Sequence, residues 1–65
     1  MHTVGERIRA YRKAHRLTQQ GLAALLGVNQ CEISRIENNV RSLSVQRLLQ
    51  IAAALRIEPG SLLNP

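Results

Sequence analysis

The apolar positions of this 65-residue chain recur at helical spacing, and no stretch alternates with the period of two that a strand requires. Val4, Ile8, Tyr11 and His15 fall at i, i+4, i+7 and i+11, the stripe of a helix from about Val4 to His15. Leu17 then fills the turn. Thr18 predicts the N-cap of a second helix carrying Leu22, Leu25 and Leu26, with Gly27 as its left-handed stop. Asn29, with Glu32 three residues on, predicts the start of a third helix whose buried edge is Ile33 and Ile36. The run from Asn38 to Ser42 reads as a loop, because adjacent asparagines favour turns. Ser44 caps a fourth helix with the apolar set Val45, Leu48, Leu49, Ala52 and Leu55. Pro59 suits the first position of a short fifth helix, with Leu62 and Leu63 facing inward or toward a partner. The expected fold is all-α, a compact bundle of five short helices, forming a single domain over residues 1–65.

Composition agrees with a small folded unit. The chain is 45% hydrophobic and 20% charged, with no Trp or Phe and one Tyr, so the core must be aliphatic. The single cysteine, Cys31, excludes an internal disulfide framework and a multi-Cys zinc site. His2, His15 and Cys31 have no metal-ligand spacing, and neither metal nor cofactor is implied. No apolar run approaches the roughly 18 residues of a membrane span, and no signal-like segment opens the chain, so a cytoplasmic protein is the expectation. Paired carboxylates, a usable Cys–His pair and a Gly-rich phosphate loop are all missing from the sequence, which argues against an enzyme.

Charge changes the picture. Nine Lys and Arg against four Asp and Glu give a formal +5 and a pI near 11.2. Eight of the nine cations are Arg, whose planar fork suits phosphates and guanine edges. Five of the nine cations (Arg7, Arg9, Arg12, Lys13 and Arg16) crowd the first sixteen residues. A solvated surface, a polyanion and an anionic membrane face are all compatible with that balance alone.

The second and third helices are separated by little more than Gly27 and Val28, a turn tight enough to make them cross steeply, with small Ala23 permitting close approach. At 100° per residue, Ile33 and Ile36 define the inner side of helix three. Cys31, Arg35 and Asn38 then face outward, with Ser34 beside them and Gln30 on the N-terminal flank. Gln reads adenine bidentately, Arg reads guanine bidentately, and small groups tolerate a thymine methyl or a phosphate.

The stretch TQQGLAALLGVNQCEISRIE resembles the helix-turn-helix of the phage-repressor family, typified by lambda repressor and Cro and called XRE-type in bacteria. The matching positions are Leu17, Gln19, Leu22, Ala23, Gly27, Val28, Ile33, Ser34, Ile36 and Glu37. Residues 4–16, RSLSVQRLLQIAAAL and IEPGSLL resemble the family's first, fourth and fifth helices. The resemblance implies that Gln30, Cys31 and Arg35, with Ser34 beside them, approach base edges in the major groove. It implies phosphate contacts from Gln19, Asn38 and Arg41, and a structural ion pair between Arg12 and Glu37. Gly21 departs from the family, where an acidic or helix-favouring residue is usual, and should cost roughly 0.5–1 kcal/mol of helix stability. Leu43 stands where a proline is common.

Several residues carry two readings. Cys31 is either an oxidisable outward thiol or a small side chain tolerated against the groove. Glu32 either accepts from cytosine or caps helix three. Arg7 and Arg9 read as a solvated face with long-range attraction for DNA, Tyr11 as core, and His15 as core-edge or helix-dipole-favoured packing, with a phosphate contact as its alternative. The function expected is a sequence-specific double-stranded DNA-binding transcriptional regulator, a repressor or controller acting as a homodimer on a palindromic operator. The dimer surface would be Ile57, Pro59, Leu62 and Leu63. The alternatives are an antitoxin-type regulator that also binds a protein toxin, and a protein-interaction adaptor with an acidic partner.

Overall fold

The computed structural model describes residues 3–40 and 42–63. It contains five helices in the order α1 (Val4–Ala14), α2 (Gln19–Leu26), α3 (Gln30–Glu37), α4 (Val45–Leu55) and α5 (Gly60–Leu63), with no strand among the described residues. None of these helices is long and apolar enough to cross a membrane.

The first four helices start and stop by the same two devices. At each N-terminus a short polar side chain accepts from the backbone N–H three residues on. The pairs are Thr3 with Glu6 at 3.2 Å, Thr18 with Gly21 at 2.9 Å, Asn29 with Glu32 at 3.0 Å and Ser44 with Arg47 at 3.1 Å. Each bond satisfies one of the N–H groups that a helix leaves without a partner. At each C-terminus one residue turns left-handed: Arg16, Gly27, Asn39 and Arg56 have φ of 57°, 72°, 60° and 56°. The apolar residue that follows donates its N–H to a carbonyl five residues back. These bonds are Leu17 to Arg12, Val28 to Ala23, Val40 to Arg35 and Ile57 to Ala52, at 2.9 to 3.0 Å. They close the last turn and, at Leu17, Val28 and Ile57, point a half-buried apolar side chain back toward the body.

The core is aliphatic. It takes Ile8 from α1, Leu22 and Ala23 from α2, Ile33 and Ile36 from α3, Leu62 from α5, and Leu48, Ile51, Ala52 and Leu55 from α4. Two sequence-based faces need correction. On α4, Ile51 is wholly buried whereas Val45 and Leu49 are 73% and 50% exposed. On α2, Leu25 is 61% exposed. Eight of the eleven residues of α4 are apolar, so periodicity alone leaves two arcs to choose from. Packing selects the arc centred between Leu48 and Ile51, and Leu49 lies roughly 110° from its middle at 100° per residue. Tyr11 is half-buried against the core. His15 is exposed at the end of α1, with Nδ1 2.8 Å from the Tyr11 carbonyl oxygen, so of its two packing readings the structure matches the helix-end one and not the core-edge one.

The helix-favouring residue absent at position 21 matters less than propensity suggests. A Cβ there would sit 3.3 Å from the Thr18 hydroxyl that caps the helix, so glycine leaves the cap unobstructed. Gly5 is the position where a glycine is required. There α1 passes so close to the end of α3 that a Cβ would lie 2.5 and 2.6 Å from the carbonyl oxygens of Ile36 and Glu37.

Candidate nucleic-acid interface

α2 and α3 are joined through the left-handed Gly27, and α3 rests on the core through Ile33 and Ile36. Its opposite side is open. Gln30, Cys31, Arg35 and Asn38 are exposed and Ser34 is half-buried, so the outward face expected from the sequence forms one surface. Large apolar side chains are absent from it. The Arg35 side chain makes no hydrogen bond or ion pair with any described residue, leaving its guanidinium available.

Behind this face lies a buried charge. The Glu37 side chain is fully buried and Arg12 is 7% exposed. Arg12 grips the carboxylate with two bonds, Nε to Oε2 at 2.6 Å and Nη2 to Oε1 at 3.1 Å, and donates from Nη1 to the Leu17 carbonyl at 2.7 Å. The expected ion pair is therefore present, and it ties α1 to the last residue of α3 and to the turn before α2. Burial is the largest single influence on the Glu37 carboxyl and pushes its pKa up. Hydrogen bonds from Arg12 and Gln19, the Arg12 charge and a bond from Arg9 together outweigh it and hold the pKa below the ordinary carboxylate value.

The network continues to the surface. Gln19 donates from Nε2 to Glu37 Oε1 at 3.1 Å and accepts on Oε1 from Gln30 Nε2 at 3.2 Å. The residue expected on a phosphate thus holds the residue expected on a base, and both are anchored to the buried carboxylate. At the other end of α3, Asn38 donates from Nδ2 to the Ser34 carbonyl at 2.9 Å and accepts on Oδ1 from Arg9 Nη2, also at 2.9 Å. Arg9 is accordingly more than a solvated cation. Arg7 faces the other way, with Nη1 3.5 Å from the Ser61 carbonyl of α5. Glu32 is engaged by Arg47 Nη2 of α4 at 3.3 Å, which binds α3 to α4 and favours a structural role over a base contact. Arg41 lies outside the described residues, as does His2.

Of the residues expected at a dimer surface, Ile57 and Pro59 are half-buried and Leu63 is 58% exposed. Leu62 is fully buried in the domain's own core and is not available to a partner. Sequence reasoning also missed Gly5 and Arg9. The only signal for Arg9 was its position on α1 three residues before Arg12, on the same side of the helix.

The helix-turn-helix model matches residues 8–62, nearly the whole of this architecture. The chain belongs to the helix-turn-helix family. It is of the phage-repressor, XRE type, a family of DNA-binding transcriptional regulators and not of enzymes. The helix-turn-helix chain is 37% identical to the restriction-modification controller protein C.AhdI from Aeromonas hydrophila. That match covers 91% of this chain and 86% of the other, with a TM-score of 0.87. It is 34% identical to the P22 c2 repressor, whose structure was solved in complex with a synthetic operator, over 98% of this chain and 97% of that one, with a TM-score of 0.89. It is also 36% identical over 57 residues to "Uncharacterized HTH-type transcriptional regulator y4wC" of Sinorhizobium fredii, a match covering 88% of this chain. The helix-turn-helix chain spans 40% of the length of that curated relative.

Proposed function

We propose that this helix-turn-helix domain binds double-stranded DNA sequence-specifically as a homodimer, laying α3 into the major groove at each half of a palindromic operator and so regulating transcription. The observation that carries this reading is the continuous polar network from the buried Glu37 through Gln19 to Gln30. It presents an amide on the reading face in a fixed pose, and preorganised donors lose less entropy on binding. Gln30 keeps its Oε1 and one N–H for an adenine edge, and Gln19 keeps one N–H for a phosphate. Arg35 is placed to take a guanine edge, with Cys31 and Ser34 small enough to let the groove approach.

One reading helix covers only a few base pairs, so specificity calls for two half-sites about 34 Å apart. A domain of 27 × 23 × 20 Å can pair with a copy of itself across that spacing. Ile57, Pro59 and Leu63 supply the two-fold contact, with Val45 and Leu49 as the exposed apolar residues that α4 can add.

Arg35→Ala is expected to cost about 1–3 kcal/mol of operator affinity and to relax specificity at one base pair. Binding isotherms on operator variants check this, and equal losses on operator and random DNA would make Arg35 a phosphate contact instead. The function itself is tested by selecting binders from a random duplex library at near-physiological salt. A palindrome with half-site centres about one helical turn apart supports the proposal. Recovery of no motif, with binding that vanishes as salt rises, leaves only phosphate attraction. A protein partner such as a toxin would then lead, and the apolar groove of Leu25, Leu26, Ala53 and Ala54 between α2 and α4 would be the surface to examine.

A further inference from the structure

Glu37 is one carboxylate between two guanidiniums, and the two are not equivalent. Arg12 is buried and makes the short, two-bond contact. Arg9 reaches the same carboxylate only through Nε at 3.4 Å, and its side chain is 40% exposed. The buried pair satisfies the negative charge, so the surplus positive charge of the cluster rests on Arg9, at the surface.

That surface is the C-terminal end of α3. Arg9 Nη2 donates to Asn38 Oδ1 at 2.9 Å, which turns the Asn38 amide so that its Nδ2 lies against the Ser34 carbonyl. Both Nη1 hydrogens of Arg9 and one on its Nη2 remain without a described partner, while Asn38 Nδ2 meets the Ser34 hydroxyl only at 3.5 Å, a long contact that a phosphate oxygen can replace. A helix C-terminus carries partial negative charge and disfavours an anion. A phosphate contact by Asn38 alone would work against that field, whereas a guanidinium bonded to the same amide reverses it.

We propose that Arg9 of α1 and Asn38 at the end of α3 form a two-residue clamp for a DNA backbone phosphate, with Glu37 fixing the direction of Arg9. Gln19 Nε2 and Arg9 Nε bond the same Glu37 oxygen, at 3.1 and 3.4 Å, so the clamp adjoins the phosphate position proposed for Gln19 and extends that edge of the interface. The inference rests on the DNA-binding reading above. It assigns Arg9 a local contact in place of a diffuse share of the domain's positive charge.

The test is the salt dependence of binding to a fluorescently labelled 20-bp duplex of mixed sequence, comparing the wild type with Arg9→Gln, Asn38→Asp and Arg7→Gln. Loss of one phosphate contact lowers the slope of log K against log salt by about 0.9 for each bound domain. Arg9→Gln is expected to show that drop. Asn38→Asp should show a similar drop while keeping the fold, because its carboxylate neutralises Arg9 in place and needs no cavity. Arg7→Gln removes the same charge from the α5 side of α1 and should leave the slope unchanged, and Arg9→Lys should recover it. A wild-type slope in both Arg9→Gln and Asn38→Asp would overturn the clamp and leave Arg9 a brace for Glu37. An equal drop in Arg7→Gln would overturn it too, by showing that the charge acts at a distance. Wild-type protein that binds no duplex would instead defeat the DNA-binding reading itself.

Discussion

Replacing Glu37 by alanine is expected to destabilise the domain by about 3–5 kcal/mol, because it leaves the buried Arg12 guanidinium without its counter-charge. A domain of this size has a total stability on the order of 3–10 kcal/mol, so the variant should be partly unfolded at 37 °C. The loss comes less from the attraction of the pair than from stranding a desolvated cation. The double variant Arg12→Met, Glu37→Leu, which removes both charges, should therefore recover much of it. Urea unfolding of the two variants at pH 7 checks the pair. A Glu37→Ala midpoint within 1 kcal/mol of wild type would show that Arg12 escapes to water.

The same carboxylate sets an acid limit. Its pKa is held below the ordinary value of 4.5, so the folded state binds this proton less readily than the unfolded chain does. The stability that Glu37 contributes is complete above about pH 4.5 and is lost as the pH falls from there through the lowered folded value. Unfolding series from pH 7 to pH 3 should show a steeper acid loss in the wild type than in the Arg12→Met, Glu37→Leu variant, where the titrating group is gone.

Gly5→Ala is expected to have an effect of comparable size, and of the opposite sign to helix propensity. In a helix interior, exchanging Gly for Ala ordinarily gains about 0.5–1 kcal/mol. Here the new methyl would meet the Ile36 and Glu37 carbonyl oxygens and Asn39 Oδ1 at 2.5, 2.6 and 2.7 Å. Two of those atoms are backbone and cannot swing aside, so α1 must lift from α3. That displacement should cost about 3 kcal/mol and lower the melting temperature by roughly 10–25 °C. DNA affinity should fall with it, because Arg9 and Arg12 ride on the helix that is displaced. A thermal melt within a few degrees of wild type would show that the two helices are not in close contact in solution.

Helix starts were readable because caps are local: Thr18, Asn29 and Ser44 each act on a residue three places away. Helix stops were readable from residue type where the left-handed residue is Gly27 or Asn39 of the paired asparagines. At Arg16 and Arg56 the stop is set by the carbonyl five residues back and the apolar side chain that follows, and an arginine does not announce it. The outward face of α3 followed from Ile33 and Ile36, since a short helix with two buried isoleucines has one orientation. Family resemblance supplied the Arg12–Glu37 pair. The sequence offered nothing comparable for Gly5 or Arg9, whose roles depend on atoms 28 to 34 residues away. The buried arc of α4 was ambiguous because nearly every side chain in it is apolar.

The approach of α1 to α3 also makes one proton informative. The Gly5 N–H is among those at the start of α1 that no helical carbonyl can reach, and it is bonded to Asn39 Oδ1, 34 residues along the chain, at 3.3 Å. Asn39 in turn donates to the Thr3 hydroxyl at 2.8 Å, so the bond exists only while the end of the reading helix sits against the start of the first. Deuterium uptake at this single amide therefore clocks the docking of the two helices. It accelerates when α3 is pried loose and slows when α3 is seated harder, with no label attached to the protein.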